Sequence, residues 1–395
     1  MPPPAIALFH EVFGVAPRGA ASAPGCVNLI GGHTDYNGGP VLPIAIGART
    51  VVAVGPAEPG VLEAVSSRDG QVARVRWREQ LPQGWVAYLG GVLRELWALD
   101  AAPEGGGGGG GGGVRVAVAS DVPIGAGLGA SAALTVAAAK ALAALAGAPL
   151  TGRQIAGVAF RAEQEHVGVA CEVMDQTIAA LAKAHHALLL ECASLEVRPI
   201  PFRARLLLVD TGRRHDLEEG RLNERRAQCD AAVKRLRVEL PELVWLASWP
   251  VEWLARLKKA LREPLRARAV HVVSETARTR FAAQLLRQKR LTRFGELLYE
   301  SHESCRRLYD CSSPELDTVV AAAKRAGALG ARLTGVGWGG AAIVLVGERG
   351  PKGHGAGSRE RVTAAIQRAF GKAYGREPAI TEVAASGGAR SERVG

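Results

Sequence analysis

Three stretches of the sequence gather side chains that could do chemistry. Residues 24–47 read PGCVNLIGGHTDYNGGPVLPIAIG, with His33, Thr34, Asp35, Tyr36 and Asn37 set between two apolar runs. An imidazole, a hydroxyl, a carboxylate and an amide between buried strands can hydrogen-bond a polyhydroxylated ligand. Residues 120–134 read SDVPIGAGLGASAAL, where Gly125, Gly127 and Gly129 alternate with Ala126 and Leu128 before Ala130 and Ser131 open a helix. Glycines let backbone N–H groups approach phosphates closely, and a helix N-terminus adds partial positive charge. The stretch lacks the Gly-Lys-Ser/Thr ending of a Walker A loop. It reads as a phosphate cradle, with Ser131 placed to reach a metal or a phosphate oxygen. Residues 161–176 read RAEQEHVGVACEVMDQ, with Glu163 and Asp175 on either side of a Gly-containing bend. Both carboxylates could face one cleft. Phosphoryl transfer to a hydroxyl needs one carboxylate near that hydroxyl and a metal near the triphosphate.

In this order along the chain, the stretches resemble the galactokinase family, within the larger group of homoserine, mevalonate and related (GHMP) small-molecule kinases. The first resembles the family's opening signature. The second is similar to P-x-G-x-G-L-S-S-S-A, and the third to A-E-x-x-F-V-G-x-x-C-G-I-M-D-Q. Leu333–Val346, with Gly335, Gly337, Gly339 and Gly340, resembles M-T-G-G-G-F-G-G. HALLLECASLE, NERRAQC, ARAVHVVSETART and SPELD fit the same family, so the resemblance covers almost the whole chain. It implies an α+β fold of two domains with the active site between them. Residues 1–200 would resemble the second domain of ribosomal protein S5, and residues 201–395 would be ferredoxin-like. The implied reaction is ATP-dependent phosphorylation of the anomeric hydroxyl of α-D-galactose, with ATP and Mg2+ required. Position by position, the resemblance makes Asp175 the catalytic base, and Ser131 and Glu163 the magnesium ligands. His33, Thr34, Asp35 and Asp175 would hold the sugar. Ser67, Gly125, Ala126, Gly127, Leu128, Gly129, Ala130 and Ser131 would line the ATP site.

Several positions depart from the family pattern. Cys26 stands where the family has Arg, and Gly32 where it has Glu. Gly129 and Ala130 replace two of three serines, Glu172 a glycine, His166 an aromatic and Leu222 the tyrosine of Y-N-x-R-R. An Arg beside the catalytic carboxylate keeps it ionised and offsets charge as phosphate moves, which a cysteine cannot do. Gly32 leaves a vacancy that water could fill, and Leu222 offers only apolar contact. Glu172, three residues before Asp175, would raise its pKa from one helical turn away or turn towards solvent. Three readings follow: a galactokinase of reduced activity, a related sugar 1-kinase for another hexose or pentose, and a non-catalytic sugar- and ATP-binding sensor.

These residues need elements to position them. Strand periodicity marks Val114–Ala119, Ala187–Glu191 and Leu206–Val209, and helical periodicity marks Ala130 to about Leu145, Gly152–Val167 and a helix from near Val173. From Asp216 to about Leu308 the pattern is mostly helical, with Trp245, Trp249 and Trp253 at near-helical spacing and expected in the core. Pro314–Gly327 and Val362–Ala373 read as helices, and the tail from Ala384 as frayed. Gly105–Gly113 is a run of nine glycines and reads as a flexible surface loop.

Bulk properties narrow the class. With 395 residues the chain can build two full cores. Its 48% apolar and 22% charged content is that of a soluble globular protein. No apolar run spans a membrane and no secretory signal opens the chain, so a cytoplasmic enzyme or binding protein is expected; a monomer is the expected state, which the sequence does not itself reveal. The net charge of +11 reads as a solvated Arg-rich surface rather than a nucleic-acid face, since no nucleic-acid motif accompanies it. The cysteines Cys26, Cys171, Cys192, Cys229, Cys305 and Cys311 form no C-x-x-C pair; most read as buried thiols, with Cys26 the exception because of where it sits.

Overall fold

The computed structural model describes residues 4–103, 112–148, 150–169, 171–213, 218–347 and 358–394. Most of the glycine run expected to form a loop lies outside these residues. The chain begins with α1 (Pro4–Phe13), β1 (Gly19–Asn28), β2 (Pro40–Val41), β3 (Pro43–Ala57), β4 (Val61–Ser66), β5 (Val72–Arg76), α2 (Trp85–Ala98) and β6 (Gly113–Ser120). Next come α3 (Ala130–Leu145), α4 (Gly152–Arg161), a π-helical turn (Ala162–Val167), α5 (Met174–Leu181), β7 (His186–Glu191) and β8 (Glu196–Pro201). The second half contains β9 (Leu206–Asp210), α6 (Glu218–Leu236), α7 (Leu254–Ala260), α8 (Leu265–Arg287), α9 (Leu291–Ser304), a π-helical turn (Cys305–Tyr309) and α10 (Pro314–Arg325). It closes with β10 (Gly330–Thr334), β11 (Ala341–Leu345), α11 (Arg359–Tyr374), β12 (Ala379–Val383) and β13 (Arg390–Ser391).

One six-stranded sheet has the order β13-β1-β3-β6-β4-β5. Its central strands are buried on both faces, which explains why they read as near-continuous apolar runs. Ala21, Val52, Val54, Val116 and Val118 face α2 and α3, while Ala20, Ala53, Ala117 and Ala119 face α1. A four-stranded sheet runs β10-β11-β9-β12. In β9 the faces alternate as strand geometry requires. Leu207 and Val209 pack on α10 and α11. Leu206 and Leu208 join Val27, Leu29 and Ile44 from the first half in another apolar cluster. That shared cluster fixes one sheet against the other and sets the site between them. β2, β7 and β8 form a small third sheet.

Two expectations are corrected. The tail from Ala384 is not frayed: Ala385 is buried, the Ser386 N–H donates to Ala45 O, and β13 pairs antiparallel with β1. Arg49 secures this return by donating to Gly387 O at 3.0 Å and Gly388 O at 2.8 Å. The second correction concerns the tryptophans, which share no helix. Trp245 and Trp249 flank a 3₁₀ turn at Leu246–Ser248, and Pro250 separates them from Trp253. Of the three, Trp249 alone is in the core; Trp245 and Trp253 are 41% and 39% exposed. A division at residue 200 falls at the end of β8, and β13 returns across it to the first sheet.

Candidate active site

Asp175 sits in the first turn of α5, beside the end of β1. The thiol of Cys26 donates to its Oδ1 at 3.1 Å. Burial pushes the Asp175 carboxyl up to about 6; the Cys26 hydrogen bond pulls it down, and the charges of Glu163 and Asp35 push it further up. Burial and the Asp175 charge hold the Cys26 thiol well above its usual range, so it stays a neutral donor. As expected, the cysteine cannot replace the charge of an Arg beside Asp175. It supplies a hydrogen bond, although it carries no positive charge. Gly129 makes room for this arrangement: at φ +67°, a Cβ there would lie 2.8 Å from the Cys26 sulfur. The loss of serine at 129 and the gain of cysteine at 26 are thus packed against each other.

The loop after β1 is fastened from α8. Glu275 is fully buried and its Oε1 accepts from the N–H groups of Gly31 at 3.0 Å and Gly32 at 3.3 Å, and from Ser301 at 2.5 Å. Burial pushes this carboxyl up, but Arg278, His271, Arg332 and Ser301 hold it down at about 2. His271 Nε2 donates to Gly32 O at 3.0 Å. Gly31 has φ +97°, and a Cβ would meet Pro40 O at 2.6 Å, so only glycine fits this turn.

Within the loop the expected sugar ligands divide. Thr34 is fully buried and donates to Gly31 O and Pro40 O, so it shapes the turn rather than facing the cleft. His33 lines the cavity, yet both ring nitrogens are engaged inside the protein. Its Nε2 donates to Val336 O at 3.0 Å, because a carbonyl can only accept, leaving Nδ1 to accept from the Tyr36 hydroxyl at 2.9 Å. Burial lowers its pKa to about 3, so the ring is neutral, and it stacks on Tyr309 at 4.4 Å. Asp35 does face the cavity. Its Oδ1 is buried with no hydrogen-bond partner, and burial raises its pKa. The vacancy expected at Gly32 is filled: a Cβ there would lie 2.6 Å from the guanidinium of the fully buried Arg332.

The glycine-rich loop runs straight into α3. Gly125, Gly127 and Gly129 all have positive φ, while Ala126 and Leu128 are buried and anchor the loop. Gly335 of the second glycine turn approaches the Gly127 backbone so closely that a Cβ would touch it at 3.4 Å. Ser131 lies in the first turn of α3 and lines the cavity. Glu163, fully buried in the π-helical turn, accepts from Thr135 and Gln176 at 2.9 Å each. Burial raises its pKa, against hydrogen bonds from Gln176, Ser131 and Thr135. Its Oε2 is buried without a hydrogen-bond partner. A hard oxygen with an unused acceptor beside a serine hydroxyl suits a divalent cation such as Mg2+. Ser67 follows β4, its N–H bonded to Val118 O, and it does not line this cavity.

Leu222, on α6, lines the opposite wall together with Arg226. Glu172 takes neither of its expected courses. It precedes α5 rather than sharing its helix with Asp175, and it pairs with Arg226 at 2.8 Å. The resulting cavity, about 270 Å3, brings together Cys26, Gly32, His33, Asp35, Gly127, Ser131, Asp175 and Leu222. Ala130 opens α3 at its edge, and Glu163 lies behind Ser131. Sequence reasoning gave no role to Glu275, His271 or Arg332. The stretch ARAVHVVSETART was visible, but nothing local showed that its Glu and His face residues some 240 positions away.

Known proteins share this geometry. Residues 91–183 match the GHMP kinases N terminal domain and residues 282–374 the GHMP kinases C terminal, so the fold is that of the GHMP kinase class. Residues 7–56 match the galactokinase galactose-binding signature. The galactokinase of Streptomyces coelicolor is 40% identical over 391 residues, covering 97% of this chain and 96% of its own. Human galactokinase is 36% identical over 352 residues, 86% of each chain. The chain belongs to the galactokinase family. A crystal structure of Lactococcus lactis galactokinase complexed with galactose superimposes with a TM-score of 0.88 at 27% identity, covering 98% of both chains. Mevalonate kinase from Methanococcus jannaschii, 19% identical with a TM-score of 0.62, covers 94% of this chain and all of its own and shares the fold.

Proposed function

We infer that the chain is a sugar kinase that transfers the γ-phosphoryl group of ATP to the anomeric hydroxyl of galactose, giving galactose 1-phosphate. The observation that carries this is the position of Asp175. It lies in one cavity with the Asp35 loop on one side and the glycine-rich start of α3 on the other. With a pKa of about 6, Asp175 is roughly nine-tenths ionised at neutral pH. It can accept the proton of a sugar hydroxyl as that oxygen attacks phosphorus. The Cys26 hydrogen bond orients the carboxylate, and the N–H groups of Gly125 to Gly129 offer the triphosphate a cradle. Asp35, with its unused buried oxygen, is the strongest candidate for holding a sugar hydroxyl. His33 and Thr34 support it by fixing the loop.

Glu163 and Ser131 would hold Mg2+. When bound, the ion would offset charge on the triphosphate. No helix among the described residues is long and apolar enough to cross a membrane. The reading is of a monomeric cytoplasmic enzyme whose partners are ATP and galactose. Its test is ATP turnover against a panel of hexoses and pentoses, with the product identified by phosphorus NMR. Galactose as the best substrate, with phosphate on the anomeric oxygen, supports the reading. A higher kcat/KM for another sugar, or ATP and sugar binding without turnover, overturns it.

A further inference from the structure

Two polar groups that the family pattern would place in the sugar cavity are missing, at Gly32 and Leu222, and the wall behind Gly32 is closed by Arg332. A third departure adds one: Glu172 lines the same cavity, where the family has glycine. Its carboxylate is held by the Arg226 guanidinium at 2.8 Å, and both side chains are about one-quarter exposed. Arg226 in turn lies over the Tyr36 ring at 4.9 Å, which fixes it against the Asp35 loop. A second cavity, about 250 Å3, shares Asp35, Tyr36, Glu172 and Arg226 with the first and continues to Cys192, Asp230 and Trp245. The ion pair therefore forms the partition between the two cavities.

We propose that Glu172, held in place by Arg226, is a sugar-specificity residue of this enzyme: its carboxylate accepts a hydrogen bond from a ring or exocyclic hydroxyl and compensates for the polar groups missing at Gly32 and Leu222. The ion pair uses one edge of the carboxylate and leaves lone pairs for a ligand hydroxyl. Of the lining groups it is the carboxyl this chain has gained; burial and the Asp35 charge push it up to about 7 against the pull of Arg226. The inference rests on the galactose-kinase reading above.

The test is steady-state kinetics of wild type, Glu172→Gln and Glu172→Gly with galactose and with its 2-, 3-, 4- and 6-deoxy analogues. Thermal melts and the KM for ATP serve as checks that the variants fold. Loss of a charged hydrogen bond should raise the KM for galactose roughly tenfold or more, a larger change than in kcat. One deoxy analogue that wild type disfavours should lose that penalty in both variants, while the others keep theirs. Arg226→Gln should raise the galactose KM in the same direction. Unchanged KM values in folded variants, or deoxy penalties that all persist, overturn the inference alone. A wild type that turns over no galactose overturns the functional reading and this inference with it.

Discussion

At the scale of single residues, the proposed chemistry turns on how Asp175 is kept ready to take a proton. Burial raises its pKa to about 6, and the Cys26 thiol opposes the rise by hydrogen bonding. A base works only when deprotonated, so kcat/KM should fall as pH drops through about 6 and level off above it. Cys26→Ala removes a bond that favours the carboxylate, so its acid limb should move to higher pH. Cys26→Arg places a positive charge there, so its limb should move to lower pH, with a gain in rate of up to about a hundredfold at neutral pH. pH–rate profiles of the three proteins check this. Limbs that coincide would show that Cys26 does not touch the base. The thiol's role was not legible in the sequence. Its type argued only against an ion pair, and its donation depends on β1 and α5 meeting.

At the scale of elements, α8 is what gives the Asp35 loop its shape. Glu275 bonds two consecutive loop N–H groups and has Arg278 as a counter-charge, with the carboxylate itself out of contact with water. Its folded pKa of about 2 lies below its ordinary value of 4.5. The stability it contributes is therefore fully present above pH 4.5 and is lost as pH falls towards 2. The amount is about 3 kcal/mol. Glu275→Gln should lower stability at pH 7 by roughly 3 kcal/mol and flatten the decline between about pH 4.5 and 2. Denaturant titrations across pH will show both effects; equal curves for variant and wild type would contradict the anchoring role. Gly31→Ala should also weaken sugar binding, because its Cβ would run into Pro40 O. A galactose KM about the same as that of wild type would argue against that. Local elements could be read from the chain because periodicity and turn chemistry are local. The helix over 130–145 and the glycine-rich loop stand where the pattern put them, and the helix expected over 314–327 ends two residues earlier, at Arg325. The same local logic misplaced the tryptophans, since near-helical spacing cannot show that Pro250 breaks the run.

At the scale of the whole molecule, the chain closes on itself. β13 returns to β1, Ser22 donates to Glu392 at 2.6 Å, and Arg49 grips the carbonyls of Gly387 and Gly388. Deleting residues 385–395 should therefore lower the melting temperature, by about 2–4 °C for each kcal/mol lost. A melting temperature unchanged by the deletion would mean that the return adds nothing. This closure was invisible in a tail rich in Ala, Ser and Gly, because its partners lie more than 300 residues earlier. The two halves were legible through motifs whose glycines and carboxylates sit in a fixed order. How those motifs face one another was not, because that depends on the apolar cluster shared by both sheets.

The decisive comparison is galactose-dependent release of ADP from ATP, by wild type and Asp175→Ala side by side. Wild type should release ADP only when galactose is present, and Asp175→Ala should lose this activity while still melting cooperatively. Galactose-dependent release that survives in Asp175→Ala would contradict the assignment of the base and, with it, the reaction derived from this cavity.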